Sequence, residues 1–163
     1  MQLNFTSWWW EHNRQHKLEL NYFKDTGQLL VKIQDVEPVM VNESFGLTNN
    51  RKLEPWDFFI GNEIDVLGKP TILKSCDANT AIWNESNGTK LLMVRTRLID
   101  EIRKYESKPF PQKLLVSYAA KAPGGYNLRG LVTQISEFRG ILMKYRPTLA
   151  CQIVESEYPE LNF

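Results

Sequence analysis

The chain has 163 residues, of which 42% are hydrophobic and 24% charged. That supplies a core for one domain plus an extension, or for two small domains, and it excludes wholesale disorder. Twenty Lys and Arg against nineteen Asp and Glu leave a formal charge of +1, too little for a histone-like or otherwise strongly basic nucleic-acid binder.

That small sum hides unlike parts. Residues 1–83 hold eight bases and eleven acids, a balance of −3, and residues 84–163 hold twelve and eight, a balance of +4. All twelve of those bases lie between Lys90 and Arg146, where four acids leave +8. From Pro147 onward there are three acids and no base. Cys76 and Cys151 are the two cysteines, without a CxxC pair, and two cysteines make no disulfide framework. Met1 to Phe5 lacks the basic start and apolar run of a signal peptide, and Trp8-Trp9-Trp10, the longest apolar cluster, is too short to span a bilayer. Four Asn-x-Ser/Thr sequons, at Asn4, Asn42, Asn84 and Asn87, are then chance matches. The expectation is a soluble intracellular protein.

Along the chain the first half reads as strands. Phe5 to Trp10 supplies one, and Lys17 to Tyr22 alternates polar and apolar residues, the period of a half-buried strand. Lys24-Asp25-Thr26-Gly27 is a turn, after which Gln28 to Val36 alternates again to complete a hairpin. Leu53 to Phe59 contains Pro55 and does not alternate, which predicts one helical turn pinning aromatic side chains under a sheet. A second hairpin is expected from Glu63 to Leu67, the turn Gly68-Lys69-Pro70, and Thr71 to Cys76. Asn84-Glu85-Ser86-Asn87-Gly88 reads as a linker of turn residues. Beyond it Leu91, Val94, Leu98, Ile102 and Tyr105 recur at helical spacing, stopped by Pro109 and Pro111. Leu114 to Tyr118 is a short apolar run closed by Ala122-Pro123-Gly124-Gly125. A second stripe runs from Leu128 through Leu131, Val132, Ile135, Phe138 and Leu142 to Tyr145, with Pro147 as its stop. The fold class is α+β, an antiparallel β domain over 1–83, a linker over 84–88, and a basic, mainly helical extension over 89–163 with an acidic tail.

The run from Leu53 to Lys69, Leu-Glu-Pro-Trp-Asp-Phe-Phe-Ile-Gly-Asn-Glu-Ile-Asp-Val-Leu-Gly-Lys, resembles the signature stretch of the DM-ten domain family. It continues through Leu73-Lys74-Ser75-Cys76-Asp77-Ala78-Asn79-Thr80, similar to the family's closing leucine, acidic residue and threonine. Upstream, Tyr22-Phe23 followed by Asp25-Thr26-Gly27 resembles the family's opening, with Trp10 near its early tryptophan. The likeness covers residues 3–83. It implies a small barrel similar to pleckstrin-homology domains, in a family of ciliary and flagellar proteins that includes EF-hand proteins of the protofilament ribbon and a ciliary nucleoside diphosphate kinase homologue. Such members are components of doublet microtubules, mainly on the luminal wall. Between Glu37 and Asn50 the chain departs from the pattern, with Pro38-Val39-Met40-Val41-Asn42-Glu43 where the family carries a basic stretch.

Catalytic chemistry finds no support. Nucleoside diphosphate kinases use a nucleophilic histidine, and both histidines, His12 and His16, fall in the β segment. Placed in a solvated loop, the two would still lack the further ligands of a zinc site. No Gly-rich phosphate loop and no EF-hand loop occurs. Cys76 reads as a small core residue, and Cys151 has no basic sequence neighbour to activate it. No catalytic, cofactor or metal residue is assigned.

The candidate partner-binding residues are of two kinds. Trp8, Trp9 and Trp10 cannot all face one side of a strand, so at least one indole points outward as a potential interface anchor. The basic stretch contributes Arg95, Arg97, Arg103, Lys104, Lys121, Arg129, Arg139, Lys144 and Arg146, which read as a solvated surface or as a site for an acidic protein surface such as tubulin, with nucleic acid or an anionic membrane as the lesser alternative. Arg95 lies among Leu91, Leu98 and Ile102, and Arg139 beside Leu128 and Val132, so each is either paired internally with an acid or turned to an acidic partner. The resulting expectation is a non-enzymatic microtubule inner protein of the cilium axoneme and cytoskeleton. It binds tubulin and neighbouring luminal proteins within a large assembly, with no cofactor, nucleic acid or membrane. The alternative is a regulatory pleckstrin-like module that binds a phosphoinositide or nucleotide.

Overall fold

The computed structural model describes residues 1–43, 51–118, 124–161 and 163. The chain divides into two compact units, one comprising Met1–Asn84 and the glycine turn ending at Gly125, the other the rest of Glu85–Phe163. No helix among the described residues is long and apolar enough to cross a membrane.

The strands of the first unit are β1 (Gln2–Glu11), β2 (Arg14–Phe23), β3 (Gln28–Ile33), β4 (Val39–Val41), β5 (Glu63–Val66), β6 (Lys69–Ile72) and β7 (Ser75–Cys76). Five of them form an antiparallel sheet in the order β4-β3-β2-β1-β7, and β5 and β6 form a separate hairpin. Every second residue of β1 (Leu3, Phe5, Ser7) is buried, as are Leu18, Leu20 and Tyr22 of β2 and Leu29 and Val31 of β3. The expected helical turn is present at Pro55–Asp57. It brings Phe58 onto this layer, stacked on Tyr22 at 4.0 Å and 6.2 Å from Phe5. Leu53, Ile64, Val66 and Leu73 complete the core.

The sheet departs from the expectation at its connections. β1 and β2 are joined by His12 and Asn13 alone, both with positive φ, as a two-residue hairpin turn requires. His16 therefore sits in β2, stacked on Trp9 at 5.2 Å, and not in a solvated loop. The second hairpin turns at Leu67-Gly68, so Lys69 and Pro70 belong to β6. Thr71 to Cys76 is not one strand: the ladder breaks at Leu73-Lys74, and β7 pairs with β1. Among the described residues the strands make an open sheet plus a hairpin, not a closed ring. Val39–Val41 adds an edge strand that the alternation argument missed, and part of the divergent stretch, 44–50, lies outside the described residues.

The largest correction concerns the linker. Residues 84–88 lie inside helix α1 (Ala78–Ile102), which starts in the first unit and ends in the second. Asp77 starts it: its Oδ1 accepts the Thr80 N–H at 2.9 Å and its Oδ2 accepts from Asn4 Nδ2 at 2.8 Å. These bonds, from Thr80 first and then Asn4, hold the Asp77 carboxyl below its ordinary 3.8. A depressed carboxyl contributes stability that is present above that ordinary value and is lost as pH falls below it. Asp77→Ala is expected to cost about 1 kcal/mol at pH 7, a typical N-cap loss, and in urea melts the difference from the parent should shrink as pH falls from 3.8 through the lowered folded-state value. A difference that persists unchanged in acid would contradict the capping role.

In the second unit α1 buries Leu91, Val94, Leu98 and Ile102, the expected stripe. α2 (Gln112–Leu115) buries Leu114, and α3 (Leu128–Met143) carries the second stripe, its Asn127 side chain capping the Gly130 N–H. Pro147 does not end structure; it opens α4 (Pro147–Glu155), since its fixed φ suits the first helical position. Gly88 is a contact, not a turn: a Cβ there would lie 2.1 Å from the Tyr126 ring and 2.9 Å from its Cβ. Gly88→Ala should therefore destabilise by about 1–3 kcal/mol, overpacking outweighing the ordinary helix gain of about 1 kcal/mol. A raised melting temperature would show that Tyr126 moves aside at no cost.

Candidate functional site

The tryptophans fall on different faces, as strand geometry demands. Trp9 packs on the core, Trp8 is half-buried beneath Lys74 (Nζ 5.0 Å from the ring centre), and Trp10 is 69% exposed. Beside them is a cleft of about 610 Å³ whose floor includes Trp9, Leu18, Ile33 and Val66 and whose rim includes Leu67 and Ile72. Lys69, Lys74 and Glu63 supply its charged groups. Apolar spacing does not mark these rim residues, because each adjoins a buried apolar neighbour, Val66 or Leu73; Leu67, in the hairpin turn, is 53% exposed and Ile72 45%.

The basic residues of the second unit separate into spent and available cations. Arg95 is half-buried and makes no ion pair among the described residues: its Nε donates to Gln134 Oε1 at 2.9 Å and its guanidinium lies 5.5 Å from the Phe138 ring centre. Gln134, buried, passes the chain on by donating to the Val116 carbonyl at 2.7 Å. A neutral amide and an aromatic face thus replace the expected carboxylate, and burial lowers the Arg95 pKa. Arg139 donates to Cys151 Sγ at 3.3 Å, with Phe163 at 5.6 Å, so α3 and α4 bring to Cys151 the positive charge its sequence neighbours lack.

Among the exposed cations, Arg103 lies 3.8 Å over Phe110 and donates to the Lys108 carbonyl at 2.6 Å. Lys104 pairs with Glu101 at 2.8 Å, and Arg146 donates to the Tyr105 hydroxyl at 3.2 Å. Tyr105 stacks on Tyr145 at 5.2 Å, and the Tyr145 hydroxyl donates to Glu106. Arg97 and Lys144 are exposed and have no partner among the described residues. Arg129 is half-buried at the start of α3, and Lys121 lies outside the described residues.

Titratable groups in the first unit serve structure. Asp57 is buried, accepting from Arg51 at 2.9 Å and from the Glu54 N–H at 2.8 Å. Tyr22 is pushed up to about 12 by burial, then by Asp57 and Glu54. Burial, then Asp77, raises the Cys76 thiol, which disfavours its thiolate form. Lys24, the one base of the early turn, lies 5.1 Å over Trp83, which itself stacks on Trp56 at 6.0 Å. No group of three His, Cys, Asp or Glu side chains arranged to hold a metal occurs among the described residues. No family model matches the chain and no curated protein matches it, so the likeness to the DM-ten domain rests on the residues quoted for it.

Proposed function

We propose that this chain is a non-enzymatic structural component of ciliary and flagellar doublet microtubules, a microtubule inner protein bound to tubulin and neighbouring luminal proteins. In this reading the first unit is a DM-ten domain whose strands belong to a pleckstrin-like barrel, and the basic helical unit faces an acidic partner. The observation that carries it is where the signature-like residues fall. Leu53, Trp56, Phe58, Ile64, Val66 and Leu73 are buried, Gly61 and Gly68 take positive φ, Asp77 caps α1 at the Thr80 N–H, and Thr80 Oγ1 accepts from the Asn4 N–H. These positions build the framework of the first unit.

Arg97, Arg103, Lys144 and Arg146 are the exposed bases that a negatively charged surface would meet. Several modest contacts of this kind, held together in one assembly, give retention far beyond any single one. Purified protein should pellet with stabilised microtubules, and the bound fraction should fall several-fold between about 0.1 and 1 M salt, as the Debye length shrinks from about 10 to 3 Å. Arg97→Glu combined with Lys144→Glu should weaken pelleting about threefold to tenfold. Absence of pelleting at low salt would overturn the tubulin contact.

A further inference from the structure

Among the described residues, the tryptophan end of β1 is an unfilled sheet edge. Three bonds fix which way its polar groups point: the Asn4 carbonyl accepts from Asp77 N–H at 3.3 Å, the Asn4 N–H donates to Thr80 Oγ1 at 2.8 Å, and the Thr6 carbonyl accepts from Lys74 N–H at 3.1 Å. Even-numbered residues of β1 therefore turn their backbone groups away from β2. The hairpin agrees, since a two-residue turn at His12-Asn13 makes Glu11 and Arg14 the hydrogen-bonded closing pair and so assigns odd residues to β2.

β7 pairs with β1 only at Phe5 and Thr6. Past that point the outward row continues with Trp8 and Trp10. The Trp8 carbonyl takes Lys74 Nζ at 2.6 Å, while the Trp8 N–H and both backbone groups of Trp10 meet no partner among the described residues. β6 does not fill the place, because its Ile72 carbonyl is taken by Ser7 Oγ at 2.6 Å and its Pro70 has no N–H. The gap between them is the apolar cleft described above.

We infer that this edge takes an extended, acidic segment of a partner protein as an added strand. Its backbone pairs with Trp8 N–H and with the N–H and carbonyl of Trp10, an apolar side chain enters the cleft, and flanking carboxylates lie beside Lys69 and Lys74. Charge selects the occupant. Although the unit as a whole carries −3, the cleft has two lysines against Glu63, and β2 adds Lys17 opposite Trp8. Lys74 uses one of its three N–H groups on the Trp8 carbonyl, guarding the edge against uncharged strands while leaving donors for a carboxylate. This site is separate from the exposed bases of the helical unit and does not depend on the microtubule assignment.

A fluorescent peptide of alternating glutamate and valine, titrated with the full chain by anisotropy, tests it against a lysine-valine peptide of the same length. The glutamate peptide should bind at least tenfold more tightly. Trp10→Ala and Trp10→Pro both lose the indole, but only proline removes the outward N–H, and the ladder to β2 survives because residue 10 takes no part in it. Proline should therefore weaken binding about tenfold beyond alanine, and Lys69→Glu several-fold. Should circular dichroism show Trp10→Pro unfolded, Lys69→Glu and the lysine peptide decide. Equal losses in folded Trp10→Ala and Trp10→Pro, equal binding of the two peptides, or absence of binding would each overturn the proposal. So would a dimer of the chain abolished by Trp10→Pro in sedimentation, which would give the edge to a second copy.

Discussion

Phe58→Ala is expected to cost the first unit about 3–5 kcal/mol, the range for emptying a fully buried aromatic site. Phe58 is 1% exposed, stacks on Tyr22 and lies near Phe5, so the void would open between the helical turn and the sheet. Those neighbours are held by strand ladders and cannot collapse into it. A loss of this size is a large share of the 5–15 kcal/mol typical of a domain. The readout is unusually selective: Trp8, Trp9, Trp10, Trp56 and Trp83 all belong to the first unit, so tryptophan fluorescence follows it alone. The urea midpoint of that signal should fall sharply. A midpoint within about 1 kcal/mol of the parent would mean that Phe58 is not the keystone of this core.

Phe138→Ala should produce a loss of similar size, about 3–5 kcal/mol, in the second unit. Phe138 is fully buried, meets Phe110 edge-on at 4.9 Å, and offers its face to Arg95. Its removal both opens a cavity and strips Arg95 of the aromatic surface that offsets its partial desolvation. Far-UV circular dichroism near 222 nm, dominated by α1, α3 and α4, is the appropriate signal. Gln134→Leu supplies a second arm: it leaves Arg95 Nε and the Val116 carbonyl without their partner, and should cost about 1–3 kcal/mol although it adds apolar volume. A gain in stability from Gln134→Leu would show that the amide link is dispensable.

Much of this architecture was legible in the sequence where periodicity and turn chemistry agree. The hairpin of β2 and β3, the helical turn at Pro55–Asp57, and the stripes of α1 and α3 each follow from apolar spacing next to a residue with a local geometric preference. The failures share a cause. Asn84, Asn87 and Gly88 are residues that also make turns, yet here each is used for packing inside a helix. Gly88 admits the Tyr126 ring and Asn87 accepts from the Tyr158 hydroxyl at 3.0 Å, contacts with residues distant in sequence. Pro147 likewise serves either to stop a helix or to start one, and only the burial of Ala150, Ile153 and Val154 shows which.

The candidate surfaces were legible in part. Strand alternation requires an outward indole, and Trp10 is that residue. Alternation does not reveal that β7 ends after two residues and leaves the edge beyond it open, because the break at Leu73-Lys74 follows from bonds to Ser7 and Thr6 across the fold. For the arginines, position on a helical wheel shows that Arg95 points inward. It gives no sign that a neutral glutamine 39 residues away, and not a carboxylate, receives it.

The microtubule assignment is tested most directly by fractionating a tagged copy in ciliated cells. Detergent extraction at low salt should leave the protein in the axonemal pellet with the doublet microtubules, and a diffuse, detergent-soluble pool would contradict the assignment.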